Sequence, residues 1–449
     1  VTEPVRLLDL YRAHVASLEA GYARAFAASS LDAVVIHSGS PKKKTLYDDQ
    51  YFALRVTPHF QHWLPLAEPD CALVVGGGKR AKLVRLRATS IWEKLPPVES
   101  EDYREVLEVV EVDSVEEVKE HLPRGATVAF LGEDRKRADS WGFSQEHIDP
   151  PALLEALDAL RTTKTDYEIA CLDEANRRAA LGHEAVLVAF LAGDPSELDL
   201  HLRYLAATMQ DDPETPYKNI VARGANAATL HHIAYEKEAH GRDAESLLVD
   251  AGACFLGYGS DVTRTWVRGA TADGAKDYAA LVARMEAMQQ RLCAAVKVGV
   301  PYEALHDESH RQVAAILREV GLAKGSIEAL VDGGVTRAFY PHGLGHSLGL
   351  QTHDVGCAAT KPRADNPFLR NTSIIAPRQT FTIEPGLYFI EGLLGPLRAK
   401  ANDAEIDWKL VDTLAELGGV RIEDDVLVQD DGEVRNLTRE HLPVGGGVV

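Results

Sequence analysis

The stretch at residues 341–354, "PHGLGHSLGLQTHD", admits three readings, and the choice between them decides the fold. Gly343, Gly345 and Gly349 hint at a phosphate loop, while Gly345-His346-Ser347-Leu348-Gly349 spells the G-x-S-x-G elbow of serine hydrolases. His342, His346 and His353 suit a metal site. The phosphate reading fails on spacing, because His346-Ser347-Leu348 follows the first G-x-G and no Lys-Ser/Thr pair comes after it. An elbow needs an apolar strand before it and a helix after it. Here "AFYPHGL" contains proline and glycine and "LQTHDVG" has no helical period, so Ser347 with Asp412 and His441 is a remote alternative.

Working outward, four β-like runs each carry an acid among apolar or β-branched residues: Asp250 in "SLLVDAG", Asp261 heading "DVTRTWV", Glu384 in "FTIEPG" and Glu423 in "GVRIEDDV". A buried charge must be neutralised, paired or bound to metal. The turn residues of "AGACFLGYGS" return the chain from Asp250 to Asp261, so a hairpin sets both acids at one end of a sheet. Period-two alternation puts Glu384 on a face with Thr382 and Glu423 on a face with Arg421. Any one of these acids is explained by solvent or a neighbouring arginine. Four of them with a histidine cluster point to a pair of divalent ions held by oxygen ligands and one imidazole, with manganese, iron, cobalt and zinc all open. The run "HDESH" at residues 306–310 sets two histidines at i, i+4. Its glutamate falls one position late for H-E-x-x-H, however, and a solvated helix face accounts for it.

The rest of the chain frames these motifs. At 449 residues it suggests two domains, and 45% hydrophobic residues with mixed charges describe a soluble globular protein. The net charge of −20 disfavours nucleic acid and anionic lipid as partners. No apolar run is long enough to span a membrane, and "VTEPVRLLDLYRAH" lacks the apolar core of a signal peptide, which predicts a cytoplasmic protein. Five scattered cysteines without C-x-x-C read as free thiols in a reducing compartment. From Leu31, strand-like "LDAVVIHSG", "CALVVGGG" and "ATVAFLG" alternate with helical "EDYREVLEVV" and "SVEEVKEHL", the pattern of an α/β domain over residues 1–160. "VVGGGKRAK" lacks P-loop spacing and reads as a hairpin turn. The Pro150-Pro151 breaker marks the approach to a second domain, residues 161–449. Two long helices, "TDYEIACLDEANRRAALGHEAVLVAFLAG" and "AKDYAALVARMEAMQQRLCAAVKVG", are predicted there, each ending at glycine.

Together "VDAG", "GSDVTRTW", "FYPHGLGHSLGLQTHD", "FTIEPGLYFIE" and "GGVRIEDDV" resemble the motifs of the M24 metallopeptidases of pita-bread fold, most closely the bacterial Xaa-Pro dipeptidases. The resemblance covers the second domain motif by motif and the first more loosely, through "LDAVVIHSGS" and "LYDDQYFALRVTPHFQHWLP". It implies an α/β (α+β) chain with a creatinase/prolidase-type N-terminal domain and a pita-bread catalytic domain. It also implies two divalent ions per subunit, manganese foremost, with cobalt, zinc and iron as alternatives. Asp250 would chelate one ion, Asp261 and Glu423 would bridge the pair, and His346 and Glu384 would hold the second. The ions would lower the pKa of a shared water that attacks the peptide carbonyl.

By the same resemblance Glu384 would pass a proton to the prolyl nitrogen, and His342 and His353 would flank the carbonyl and stabilise the oxyanion. Arg421 would orient Asp250, Arg370 would take the substrate carboxylate, and Tyr217 would line the proline pocket. One further active-site histidine falls on His231 or His232 according to the end from which "TLHHIAYEKEAHGRDAESLLVD" is counted. A one-residue insertion favours His231 as the catalytic and substrate-binding group. The implied reaction is hydrolysis of dipeptides with C-terminal proline, with phosphotriester cleavage as a side activity. The implied assembly is a homodimer whose N-terminal domain, with Asp48 and Asp49, shapes the partner's active-site mouth. An aminopeptidase P-like enzyme acting on longer peptides is the alternative within the family. A serine esterase and a non-catalytic pita-bread binding module are the alternatives outside it, and the module is disfavoured because all five ligands are kept.

Overall fold

The apolar runs of the first third assemble into one sheet. In the computed structural model, which describes residues 6–87, 91, 94, 98, 100–239, 245–269, 274–400 and 405–449, five strands lie in the order β4-β3-β2-β1-β5. They are β1 (Ala33–His37), β2 (Ala72–Gly76), β3 (Lys79–Leu86), β4 (Glu108–Val112) and β5 (Val128–Leu131). The expected hairpin joins β2 to antiparallel β3 through Gly77 and Gly78, at φ of 69° and 68°. A Cβ on the preceding Gly76 would sit 2.4 Å from the Asp32 carbonyl oxygen, so only glycine fits.

One element differs from expectation. Of "EDYREVLEVV", only Tyr103–Val106 is helical, and the residues after it form β4, paired in parallel with β3. The three valines of β4 are β-branched and its Glu108 and Glu111 are exposed, which suits an edge strand better than a helix. "SVEEVKEHL" does form a helix, Val115–Glu120, whose first turn is capped by the Ser114 hydroxyl accepting from the Glu117 N–H.

The chain divides into two compact units, Val1–Cys171 and Leu172–Val449. Pro151 opens the helix Pro151–Thr162, and Leu160 of that helix packs against Gly21 of the helix Leu7–Ser29. The division falls farther on, inside the helix Asp166–Ala192.

In the second unit β6 (Ile220–Arg223), β7 (Glu245–Asp250), β10 (Thr263–Arg268) and β16 (Gly446–Val448) form a sheet in the order β16-β10-β7-β6. Between β7 and β10 stands a small hairpin, β8 (Cys254–Phe255) with β9 (Tyr258–Gly259). The runs "FTIEPGLYFI" and "GVRIEDDVLV", expected as single strands, each split in two. β11 (Thr380–Ile383) and β12 (Gly386–Leu387) flank Glu384-Pro385, while β13 (Val420–Arg421) and β14 (Asp424–Val428) flank Ile422-Glu423. Pro385 has no N–H with which to continue a ladder. β11 therefore pairs with β14, which also carries β15 (Val434–Asn436), and β12 pairs with β13. Both acids sit in the breaks, and the Glu423 N–H donates to the Thr263 carbonyl at 3.1 Å, joining the second system to β10.

Helices Ala275–Ala294 and Tyr302–Glu319 cover this strand system, with Met285, Leu292, Val313, Phe381, Ile383 and Val426 buried in one core. The first ends at Ala294, short of Gly299, whose N–H donates to the Ile375 carbonyl at 2.8 Å. Among the described residues no helix is long and apolar enough to cross a membrane, and all five cysteines are free.

Candidate metal centre

Antiparallel pairing of β7 with β10 sets Asp250 opposite Thr263, so Asp261, just ahead of β10, lies beside Asp250. The Tyr217 hydroxyl sits between the two carboxylates, 2.7 Å from Asp250 Oδ1 and 2.5 Å from Asp261 Oδ1. Tyr217, expected to line a proline pocket, aims its polar end at the acids. Arg421 Nη2 donates to Asp250 Oδ2 at 2.6 Å, and Nη1 donates to the Tyr388 hydroxyl at 2.9 Å. The Thr263 hydroxyl donates to Glu423 Oε2 at 2.7 Å. Behind Asp261, Asp425 Oδ2 accepts the Asp261 N–H at 3.0 Å and the Asn176 side-chain amide at 2.9 Å.

The glycines of "GLGH" now have a use. A Cβ on Gly345 would lie 2.1 Å from the Thr382 carbonyl oxygen, and this close approach lets the Thr382 N–H reach the His346 carbonyl at 2.9 Å. His346 Nδ1 is 3.1 Å from the Ser347 carbonyl, which leaves Nε2 directed 3.4 Å from Asp261 Oδ2 and 3.6 Å from Glu384 Oε1. Ligand atoms of Asp261, His346 and Glu423 all lie within 4.8 Å of one another, at residues only 5%, 4% and 2% exposed.

Burial pushes the Glu384 carboxyl up to about 7, with Asp261 and Asp250 adding to the rise. Asp261 and Glu423 are raised for the same reasons, desolvation first and neighbouring acids next. Burial works to lower His346, yet the Asp261 and Glu384 carboxylates carry it up to about 9. Four carboxylates thus face one guanidinium and one imidazole, and the group holds on to protons in place of missing positive charge. That donor set, oxygen-rich with a single imidazole, fits divalent cations.

Around this nest His342 is fully engaged. Its Nδ1 is 2.8 Å from the Gly343 carbonyl and its Nε2 is 2.8 Å from the Tyr388 hydroxyl. Burial and the Arg421 charge push its pKa down to about 3, so it is neutral. A carbonyl only accepts, so Nδ1 carries the proton and Nε2 accepts from Tyr388. His353 packs edge-on to His346 with ring centroids 4.4 Å apart, and makes no hydrogen bond among the described residues. Partial burial, then the His346 and Arg370 charges, lower its pKa to about 3. Arg370 is exposed, and among the described residues no carboxylate pairs with it. His232 Nε2 is tied to Glu197 Oε2 at 2.7 Å, whereas exposed His231 acts electrostatically on both His342 and His353.

Two other readings are corrected or closed by the geometry. His306 and His310 are 3% and 2% exposed, so they lie on a buried face and not on a solvated one. They share that face with Leu305, Ser309 and Val313, and Tyr340 packs between them and His342, at 5.0 Å from both His310 and His342. The esterase triad is not assembled. Ser347 Oγ donates to the Val355 carbonyl at 3.3 Å, His441 pairs with Asp173 at 3.2 Å, and Asp412 pairs with Arg398.

Thr263, Tyr388, Asp425 and Asn176 escaped the sequence reading. Asp425 carried a signal, standing in the acid triplet "EDD". Asn176, 249 residues away from it, carried none.

Buried carboxylates gathered around one imidazole define a candidate metal centre, set where β7, β10, β11 and the β13–β14 break converge. The chain belongs to metallopeptidase family M24, whose model matches residues 170–430. A second model, described as the Xaa-Pro dipeptidase N-terminal domain, matches residues 9–158. The family read from the motifs is borne out. The chain is 38% identical over 444 residues to the Xaa-Pro dipeptidase of Pseudoalteromonas atlantica, covering 97% of this chain and 99% of that one. It is 40% identical over 444 residues to that of Shewanella baltica, covering 97% and 98%. Among solved structures it is similar to Pseudomonas aeruginosa aminopeptidase PepP, with TM-score 0.70, 21% identity and 95% and 96% of the two chains covered. Zinc-substituted Escherichia coli aminopeptidase P in complex with product matches with TM-score 0.70, 21% identity and 94% and 95% covered. At that identity the two structures attest the fold alone.

Proposed function

We propose that this chain is an Xaa-Pro dipeptidase that hydrolyses dipeptides with C-terminal proline at a centre of two divalent ions. The observation that carries it is the similarity to Xaa-Pro dipeptidases over both domains. Asp250, Asp261, His346, Glu384 and Glu423 would hold the ions, manganese suiting the oxygen-rich set. When bound, the ions supply a water nucleophile at neutral pH and polarise the scissile carbonyl.

The chain's own groups do the rest. Arg421 and Tyr217 hold Asp250 and Asp261 in orientation, and Thr263 holds Glu423. Glu384 would take up the proton that the attacking water loses and pass it to the prolyl nitrogen. His353, with its ring nitrogens uncommitted, faces the developing oxyanion, and His231 supports it from its loop. His342, with both nitrogens committed, acts by holding its place 3.6 Å from Glu384 Oε2. Arg370 receives the proline carboxylate, whose fork geometry a guanidinium matches.

The same reading carries a homodimer in the cytoplasm. Leu46, Tyr47 and Phe52, exposed beside Asp48 and Asp49, are then covered by the second copy, which size-exclusion with light scattering would detect. An aminopeptidase P-like activity is favoured by fold likeness only. Turnover of Ala-Pro against Ala-Pro-Ala with manganese supplied decides between them. We expect the dipeptide to be cleaved and the tripeptide spared. Faster cleavage of the tripeptide, or no turnover with any metal, would overturn the reading.

A further inference from the structure

Arg370 lies at the end of residues 363–370, a segment with no helix or strand, so its guanidinium is only as well placed as that backbone. The segment is fastened at both ends. Arg363 forks onto Asp307, Nη1 to Oδ2 at 3.0 Å and Nη2 to Oδ1 at 2.6 Å, with Nε 3.6 Å from Glu303 Oε1. Asn366, 2% exposed, donates its amide to Glu303 Oε1 and Asp307 Oδ1, both at 3.2 Å. Its oxygen accepts from Arg337 Nη2 at 3.1 Å, and Arg337 Nε donates to the Asp365 carbonyl at 2.7 Å. At the other end, a Cβ on Gly343 would lie 2.9 Å from Leu369 Cα and 3.0 Å from the Phe368 carbonyl oxygen. The backbone just before Arg370 is therefore pressed against the residue that follows His342.

We propose that Glu303 and Asp307, one turn apart on the Tyr302–Glu319 helix, are positioning residues for specificity. With Arg363 and Asn366 they form a clasp that holds Arg370 where the C-terminal carboxylate of a dipeptide reaches it. The inference rests on the role given to Arg370 above. The clasp touches neither the scissile bond nor the metal ligands, so it acts on recognition of the free carboxylate and leaves the chemical step alone.

The test uses the full-length, manganese-loaded enzyme with Asp307→Asn and Arg363→Met, measured on Ala-Pro and on Ala-Pro amide. Cutting the clasp should raise KM for Ala-Pro roughly tenfold, about the loss of one charge-assisted hydrogen bond, with kcat within about twofold. KM for the amide should not move. In an Arg370→Met background neither substitution should add anything. An equal rise for acid and amide, a fall in kcat at constant KM, or additivity with Arg370→Met would overturn the clasp. A wild-type enzyme unable to cleave Ala-Pro would instead remove the functional reading beneath it.

Discussion

Each unit contains a buried group of histidine and carboxylate with ligand atoms within 4.8 Å, and the two groups behave in opposite ways. In the N-terminal unit His14 Nδ1 meets the Thr165 hydroxyl at 2.8 Å and Nε2 meets the His62 carbonyl at 2.7 Å. Glu168 Oε2 accepts the Thr165 N–H at 2.8 Å, and His62 Nε2 lies 3.3 Å from Glu168 Oε1. Burial works to raise Glu168, but His62, His14 and Lys164 hold its carboxyl below the usual range. In that group the carboxylate is matched by neighbouring imidazoles and a lysine. In the C-terminal unit the carboxylates of Asp261 and Glu423 are driven up, and His346 is driven up with them. Proximity of potential ligands is common to both, so it does not mark a metal site. What differs between the two groups is the balance of charge around the carboxylates.

The largest effect that separates the two groups is loss of metal. Asp261→Asn or Glu423→Gln should abolish stoichiometric metal binding and lower kcat/KM for Ala-Pro by at least about a thousandfold, several kcal/mol of lost charge stabilisation. His62→Gln should leave metal content and kcat/KM as they are. Metal analysis of the three purified variants decides, and a His62→Gln protein depleted in metal would break the contrast. Next comes Glu384→Gln, for which the loss of proton delivery should cost roughly 10²–10⁴ in kcat. If kcat survives while metal content falls, Glu384 is a ligand only.

A smaller effect belongs to the groups that orient the ligands. Tyr217→Phe and Arg421→Lys should weaken metal binding by about 10–100-fold, read as a shift in the metal concentration that restores activity to chelated enzyme. Tyr217→Phe keeps the ring and removes the hydroxyl between Asp250 and Asp261, so a change in KM alone would return Tyr217 to the role of a pocket wall.

How much of this was legible differs by residue. Asp250, Asp261, Glu384 and Glu423 stood out because an acid in an apolar run is costly wherever it folds. The parallel edge strand β4 did not, since three valines among acids satisfy a helical and an extended pattern alike. The breaks at Glu384 and Glu423 were hidden because periodicity reports which face is buried and not where pairing changes partner. His306 and His310 were misread for a related reason. Their spacing placed them on one face of a helix, but only Tyr340 and the core packed against that helix decide that the face is buried.

The smallest effect sharpens the contrast from the N-terminal side, through pH. Burial lowers His62 from its ordinary value to about 4, so between about pH 6.5 and 4 the unfolded chain binds the proton that the folded chain refuses. Stability therefore falls on acidification through that window. Glu168 acts in the same direction at lower pH, because its folded pKa is depressed and its contribution is lost as the carboxylate is protonated. Acidifying from pH 7 to pH 4.5 should cost this unit on the order of 2 kcal/mol, or roughly 4–8 °C in its unfolding midpoint. His62 is also the first of the groups that hold Glu168 down, so His62→Gln should lose the upper part of the slope and weaken the lower part as well. An unchanged slope in the variant would mean that His62 does not titrate with folding. The N-terminal group would then owe its stability to packing alone.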